Sequence, residues 1–231
     1  MIPLRDNVHA HHYPLVNVTL IWLNIAVFFY EFSLGPSLER FLAHYAVIPS
    51  QLLTGTSPEG WLPLLTSMFL HGGFMHLAGN MLFLWIFGDN VEDRLGHVRY
   101  LFFYLFCGIM AGVVHILANQ HSTVPSLGAS GAIAGVLGAY MLMFPRARVA
   151  ALVFLFLFIE VIELPAALYI GFWFVMQLFN GTAELPGAHL LQGGVAWWAH
   201  IGGFVTGFMV IKLFCAGQPR RRCFHDEYWA Y

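Results

Sequence analysis

Between Arg99 and Arg146 the chain runs for 46 residues without an Asp, Glu, Lys or Arg. A bilayer crossing needs about 20 predominantly apolar residues, so this stretch holds two crossings and the loop that joins them. The rest of the chain agrees: 10% of residues are charged against 59% hydrophobic, 22 are Phe, and the mean hydropathy is +0.70. That balance is far from that of a soluble domain, and the bilayer is the expected solvent. A formal net charge of −2 and the lack of a basic stripe argue against a nucleic-acid partner. Residues Met1 to Pro14 are polar and carry Arg5, Asp6, His9, His11 and His12, so neither a cleaved signal peptide nor a mitochondrial transit peptide is expected. Cys107, Cys215 and Cys223 are odd in number and irregularly spaced. They read as packing residues or free thiols, and form neither a disulfide framework nor a zinc motif.

Six apolar blocks are candidates for crossings: Leu15 to Phe32, Met75 to Gly88, Tyr100 to Asn119, Leu127 to Phe144, Pro165 to Phe179 and Val195 to Cys215. The second is short and is expected to begin near Gly72 and to run past Asp89. A seventh run, Val149 to Ile159, has about two-thirds of the length of one crossing and ends at Glu160 and Glu163, which assigns it to the membrane interface. The expected fold is an all-α membrane protein, a six-helix bundle over residues 15–215. A polar tail of residues 1–14 precedes it and a basic tail of residues 216–231 follows. Lys and Arg collect in short cytoplasmic loops. With the N-terminus inside, Arg5, Arg94, Arg99, Arg146, Arg148, Lys212, Arg220, Arg221 and Arg222 are cytoplasmic and only Arg40 lies outside. Both termini are then cytoplasmic. The connection from Phe32 to His71 lies outside, with those near His121 and Glu184.

Ser130 stands in Gly128-Ala129-Ser130-Gly131 at the outer start of the fourth block. His200 stands in Ala199-His200-Ile201-Gly202-Gly203, about one and a half turns into the sixth. An ionisable side chain inside a span is costly and points to function. Both blocks run from outside to inside, so the two residues share a shallow depth, about 5–10 Å below the outer surface at 1.5 Å rise per residue. A full crossing by Val149 to Ile159 would turn the sixth block over and separate them. A serine hydroxyl is a poor nucleophile unless a base within about 2.6–3.2 Å takes its proton, and histidine suits that task near neutral pH. Such an approach requires tightly packed helices. Gly203 and Gly207 follow His200 on its own face, as Ala134 and Gly138 follow Ser130. Small residues fit any close helix pair, so they do not by themselves indicate an enzyme.

His76 and Asn80, four apart at the outer start of the second block, share a face at the same depth. Two donors there suit a tetrahedral oxyanion. The competing reading has Asn80 bonding between helices and His76 reaching for the interface. A three-histidine metal site of His71, His76 and His200 lacks a His-Glu-x-x-His pattern and a carboxylate at that depth, so no metal or other cofactor is expected. His9, His11 and His12 read as part of a solvated tail.

These motifs, with Gly88 and Glu92-x-x-x-Gly96, resemble in combination those of rhomboid intramembrane proteases from about Trp61 to Gly207. The resemblance implies a catalytic dyad of Ser130 and His200 without an aspartate. It also implies that His76 and Asn80 help to bind the oxyanion together with the backbone amide of Ser130. Supporting roles fall to His71, Glu92, Gly96, Gly128, Gly131, Gly203 and Gly207. The first loop would be partly embedded, and Trp173 and Phe174 of the fifth span would gate the substrate. Two positions depart from the pattern: Trp61 is followed by Leu62 where some members carry Trp-Arg, and Ala134 stands where some carry an aromatic residue that stacks on the histidine. The implied reaction is hydrolysis of a peptide bond in or near the transmembrane segment of a single-pass protein, through an acyl-enzyme on Ser130. The short polar N-terminus and compact form suggest a bacterial inner membrane, with the site open to the extracytoplasmic side. A rhomboid-like chaperone or quality-control factor that binds membrane proteins without cutting them is the alternative. A transporter is disfavoured, because the polar groups cluster at one depth.

Overall fold

Large apolar side chains such as Trp22, Phe29, Trp85, Phe102 and Met209 are exposed on the outside of this protein, the pattern expected where lipid replaces water around a helical bundle. The computed structural model describes residues 1–155, 158–183, 196–217 and 223. Among them the helices are α1 (Leu15–Ser33), α2 (Leu38–Tyr45), α3 (Pro49–Thr54), α4 (Pro63–Thr66), α5 (Phe74–Leu95), α6 (His97–Ala118), α7 (Ser130–Met143), α8 (Ala166–Ala183) and α9 (Trp197–Phe214). The strands are β1 (Ile2–Asp6), β2 (Arg148–Leu155) and β3 (Phe158–Pro165). Helices α1, α6 and α9 are each long and apolar enough to cross a bilayer. The segment Pro63–Phe69 with α5, bent by 93°, makes a fourth if the two are counted as one span. The expected blocks at Leu127 to Phe144 and Pro165 to Phe179 correspond to α7 and α8. The former is a shorter apolar helix, about 21 Å long at 1.5 Å per residue. The start of the last block at Val195, the connection near Glu184 and Arg220 to Arg222 fall outside the described residues.

Helix α7 sits at the centre, with every residue from Gly131 to Tyr140 buried. It packs on α9 backbone to backbone. A Cβ at Gly203 would collide with the Gly131 carbonyl, one at Gly207 with the Gly135 carbonyl, and one at Gly138 with the Phe204 carbonyl. The pairs advance together along both chains, so α7 and α9 run parallel. The contact line on α7 is Gly131, Gly135 and Gly138, one position round from the expected Ala134.

In a bilayer, polar groups must find partners inside the protein. The first-turn amides of α1 do so on Glu92, whose carboxylate accepts from Val16 N at 2.9 Å and Asn17 N at 2.6 Å. Asn17 donates to the Leu84 carbonyl at 2.9 Å and accepts from the Tyr100 hydroxyl at 2.8 Å. Gly88 leaves room for this network, since a Cβ there would strike Asn17 and the Tyr100 hydroxyl. Gly96, at φ +79°, ends α5 with its amide on the Glu92 carbonyl at 2.7 Å and starts α6 at once. Arg99 reaches the carbonyls of Phe214 and Ala216, and the Arg94 guanidinium lies 5.2 Å from the centre of the Phe144 ring. These basic residues gather at the end of the bundle opposite Ser130 and His200.

Three expectations need correction. The fold is not all-α: β1, β2 and β3 form an antiparallel sheet, with Ile2 opposite Leu152 and Ala151 opposite Ile162. Val149 to Leu155 thus lies in strand β2, and Phe158 and Ile159 open β3. Strand β2 is stabilised by pairing with β3, where half-buried Ile162 and Leu164 alternate with exposed Val161 and Glu163. The N-terminal tail is not simply solvated, because it supplies β1 and because His12 contacts Asp93 through its backbone amide and its ring. Nor are all the cysteines free. Cys215 and Cys223 form a disulfide with Cα atoms 6.2 Å apart, while Cys107 is free and buried. Which cysteines come within bonding distance depends on where α9 ends, which the sequence spacing does not reveal.

Two outcomes follow for stability. Gly207→Val drives a side chain into the Gly135 backbone, and thermal unfolding in detergent micelles should show a loss of at least about 1–3 kcal/mol. Burial pushes the Asp6 carboxyl from 3.8 up to about 6, against hydrogen bonding from Tyr140. The folded state then holds this proton more tightly than the unfolded chain. Stability from this group is complete below about pH 4 and is lost as pH rises to about 6. Melting temperature should accordingly fall over that window more steeply for the wild type than for Asp6→Asn.

Candidate active site

Ser130 is the first residue of α7, and the loop leading to it is held by backbone bonds to the segment between α1 and α5. Val47 and Ser126 exchange amide-to-carbonyl bonds at 2.9 and 2.7 Å, and the Gly128 amide donates to the Ser67 carbonyl at 2.9 Å. Gly128 has φ +130°, and a Cβ there would lie 2.8 Å from the His76 ring, so both conformation and space demand glycine. Among the described residues no side chain caps the start of α7. Its first-turn amides, that of Ser130 included, therefore stand available as donors at the positive end of the helix.

The parallel packing of α7 on α9 brings Ser130 Oγ to 2.8 Å from His200 Nε2. His200 is buried, and its Nδ1 lies 2.8 Å from Gln177 Oε1 of α8. The Trp173 ring lies over it with centroids 5.7 Å apart at 35°, and Trp197 meets it edge-on at 6.3 Å. The aromatic neighbour absent at Ala134 is thus supplied by α8. Phe174 stacks on Phe204 of α9 at 4.2 Å.

His76 and Asn80 line a cavity of about 620 Å³ together with Ser130, His200, Met75 and Leu127. Asn80 Nδ2 lies 3.0 Å from His71 Nε2, which holds the amide while leaving its second hydrogen for the cavity. His71 is buried, its own amide donating to the Glu31 carboxylate at 3.1 Å. Gly131 packs on Ala111 and Gly203 on Gly131. Glu92 stands at the other end of α5, in the network that starts α1, and takes no part in the cavity. Among the described residues no group of three His, Cys, Asp or Glu side chains is placed to share a metal ion. Gln177 was not among the residues singled out from the sequence. It is the lone amide side chain between Pro165 and Phe179, but its histidine partner stands on another helix and no local pattern points to it.

Residues 58–217 match the family described as Rhomboid domain. The chain is 30% identical over 194 residues to Rhomboid protein 1, mitochondrial, of Saccharomyces cerevisiae, covering 82% of this chain and 50% of that protein. It is 36% identical over 129 residues to Rhomboid protease GluP of Bacillus subtilis, covering 55% and 24%. It is also 32% identical over 165 residues to the human Presenilin-associated rhomboid-like protein, mitochondrial, covering 66% and 41%. The chain thus spans half or less of the length of these curated relatives.

Proposed function

Because the chain belongs to the rhomboid family, we propose that it is an intramembrane serine endopeptidase with Ser130 as nucleophile and His200 as general base and acid. The observation that carries this reading is the 2.8 Å approach of Ser130 Oγ to His200 Nε2 at the wall of a cavity of about 620 Å³. The Ser130 hydroxyl gives its proton to His200 as the oxygen attacks the scissile carbonyl carbon. The resulting oxyanion is met by Asn80, His76 and the Ser130 amide, donors that need little rearrangement because the fold already holds them. His200 then returns the proton to the leaving amine, and a water molecule, deprotonated by the same ring, releases the acyl group from Ser130. The substrate is the transmembrane segment of a single-pass protein, entering from the bilayer.

We read the protein as crossing the membrane six times, with α7 and α8 completing the set and the site opening on the face opposite the cluster of basic residues. The Cys215–Cys223 disulfide lies on the basic side of the bundle. The relatives include mitochondrial proteins, and a bacterial inner membrane gains no support from them. A non-proteolytic rhomboid-like chaperone would not need Ser130 and His200 in bonding geometry, so the contact favours the enzyme.

In liposomes holding a single-pass substrate, the wild type should cleave within the membrane, and Ser130→Ala and His200→Ala should each lose at least about 10³-fold in rate. Cleavage undiminished in either variant would sink the reading. His76→Ala and Asn80→Ala should each lower kcat by about 10²-fold, less than either dyad variant, as expected for one donor among several.

A further inference from the structure

We propose that Gln177 is the positioning residue for His200, fixing its tautomer and ring plane from α8. This inference rests on the protease reading above and adds a third side chain to the pair. Gln177 is buried, and each end of its amide has one partner. Its Nε2 lies 3.0 Å from the Trp173 carbonyl oxygen, and its Oε1 lies 2.8 Å from His200 Nδ1. A carbonyl oxygen only accepts, so the NH₂ group must face Trp173, and the amide orientation is set by its own helix. That leaves Oε1, an acceptor, facing the histidine. Nδ1 must therefore carry the ring proton, and in a neutral ring Nε2 then has a bare lone pair. Nε2 is the atom 2.8 Å from Ser130 Oγ. The amide thus selects the one tautomer in which His200 can take the serine proton. When the ring becomes an imidazolium, the same bond becomes charge-assisted and strengthens.

No carboxylate is needed for this arrangement, and a neutral acceptor spares the cost of a second buried charge. Trp173, one turn before Gln177, covers the ring face, so α8 supplies both the in-plane and the face-on restraint. The orientation of His200 consequently depends on α8 staying seated on α9, where Phe174 stacks on Phe204 and Gly181 lets Trp197 and Ile201 approach.

The test uses the full chain in bicelles with two variants of equal length, Gln177→Met, which removes the acceptor, and Gln177→Glu, which keeps it. Gln177→Met should lower kcat by about 10- to 100-fold, the range for a hydrogen bond to a charged group, with KM within about twofold. Gln177→Glu should recover most of the loss. Nitrogen-15 spectra of the histidine rings, with His200 assigned by its absence in His200→Ala, should show the Nδ1-protonated tautomer in the wild type and a tautomer mixture in Gln177→Met. Unchanged kcat in Gln177→Met, a loss that Glu does not recover, or an unchanged tautomer would each overturn the proposal. A rise in activity, as expected if Gln177 merely latches α8 shut, would overturn it too. If the wild type cleaves nothing, the protease reading fails, and the tautomer spectra alone decide whether Gln177 orients the ring.

Discussion

Backbone contact between α7 and α9 is the constraint on which the rest of the site depends. Gly203 against the Gly131 carbonyl and Gly207 against that of Gly135 bring the helix axes closer than any side chain would allow. Only at that separation does a side chain as short as serine reach a histidine on the neighbouring helix. Apolar burial contributes little to such packing in a bilayer, because lipid tails are as apolar as the helices. Close-range dispersion and hydrogen bonding must hold the pair, and glycine is what permits both.

The remaining polar groups obey one rule at the two ends of the bundle. At the basic end, Glu92 receives the first amides of α1, and Asn17 and Tyr100 complete the network between α1, α5 and α6. At the other end, Glu31 receives the His71 amide, His71 holds Asn80, and the Ser126 backbone pairs with Val47. Apart from the His71–Asn80 contact, these bonds join segments distant in sequence, so they fix the positions of the helix ends as well as satisfying buried groups. On the proposed reading, the resulting stiffness keeps the oxyanion donors in place while α8, stacked on α9 mainly through aromatic rings, remains the less restrained wall.

Much of this was legible in the sequence, for identifiable reasons. Apolar blocks locate α1, α5, α6, α7, α8 and α9 because a helix in lipid must be apolar over most of its length. That Ser130 and His200 can meet follows from their blocks running in the same direction, as α7 and α9 do. The sheet was hidden because a short apolar run cannot be told from helix by periodicity alone, and because β2 is stabilised by Ile2–Asp6, far away in the chain. The Cys215–Cys223 bond was hidden because it depends on where α9 stops. Gln177 was hidden by its surroundings: one amide among aromatic and aliphatic residues reads as tolerated until its partner is known, and that partner lies on another helix. The aromatic cover of His200 came likewise from Trp173 in place of Ala134, a substitution of one helix for another that no local pattern records.

On the proposed reading, the contact with His200 makes Ser130 a nucleophile. Mapping of fluorophosphonate adducts by mass spectrometry on the intact membrane protein tests it most directly, because it reports the reactive atom without requiring a known substrate. A stoichiometric adduct on Ser130 is expected in the wild type and none on Ser130 in His200→Ala. An adduct on another serine, or equal labelling of Ser130 when His200 is absent, would contradict it.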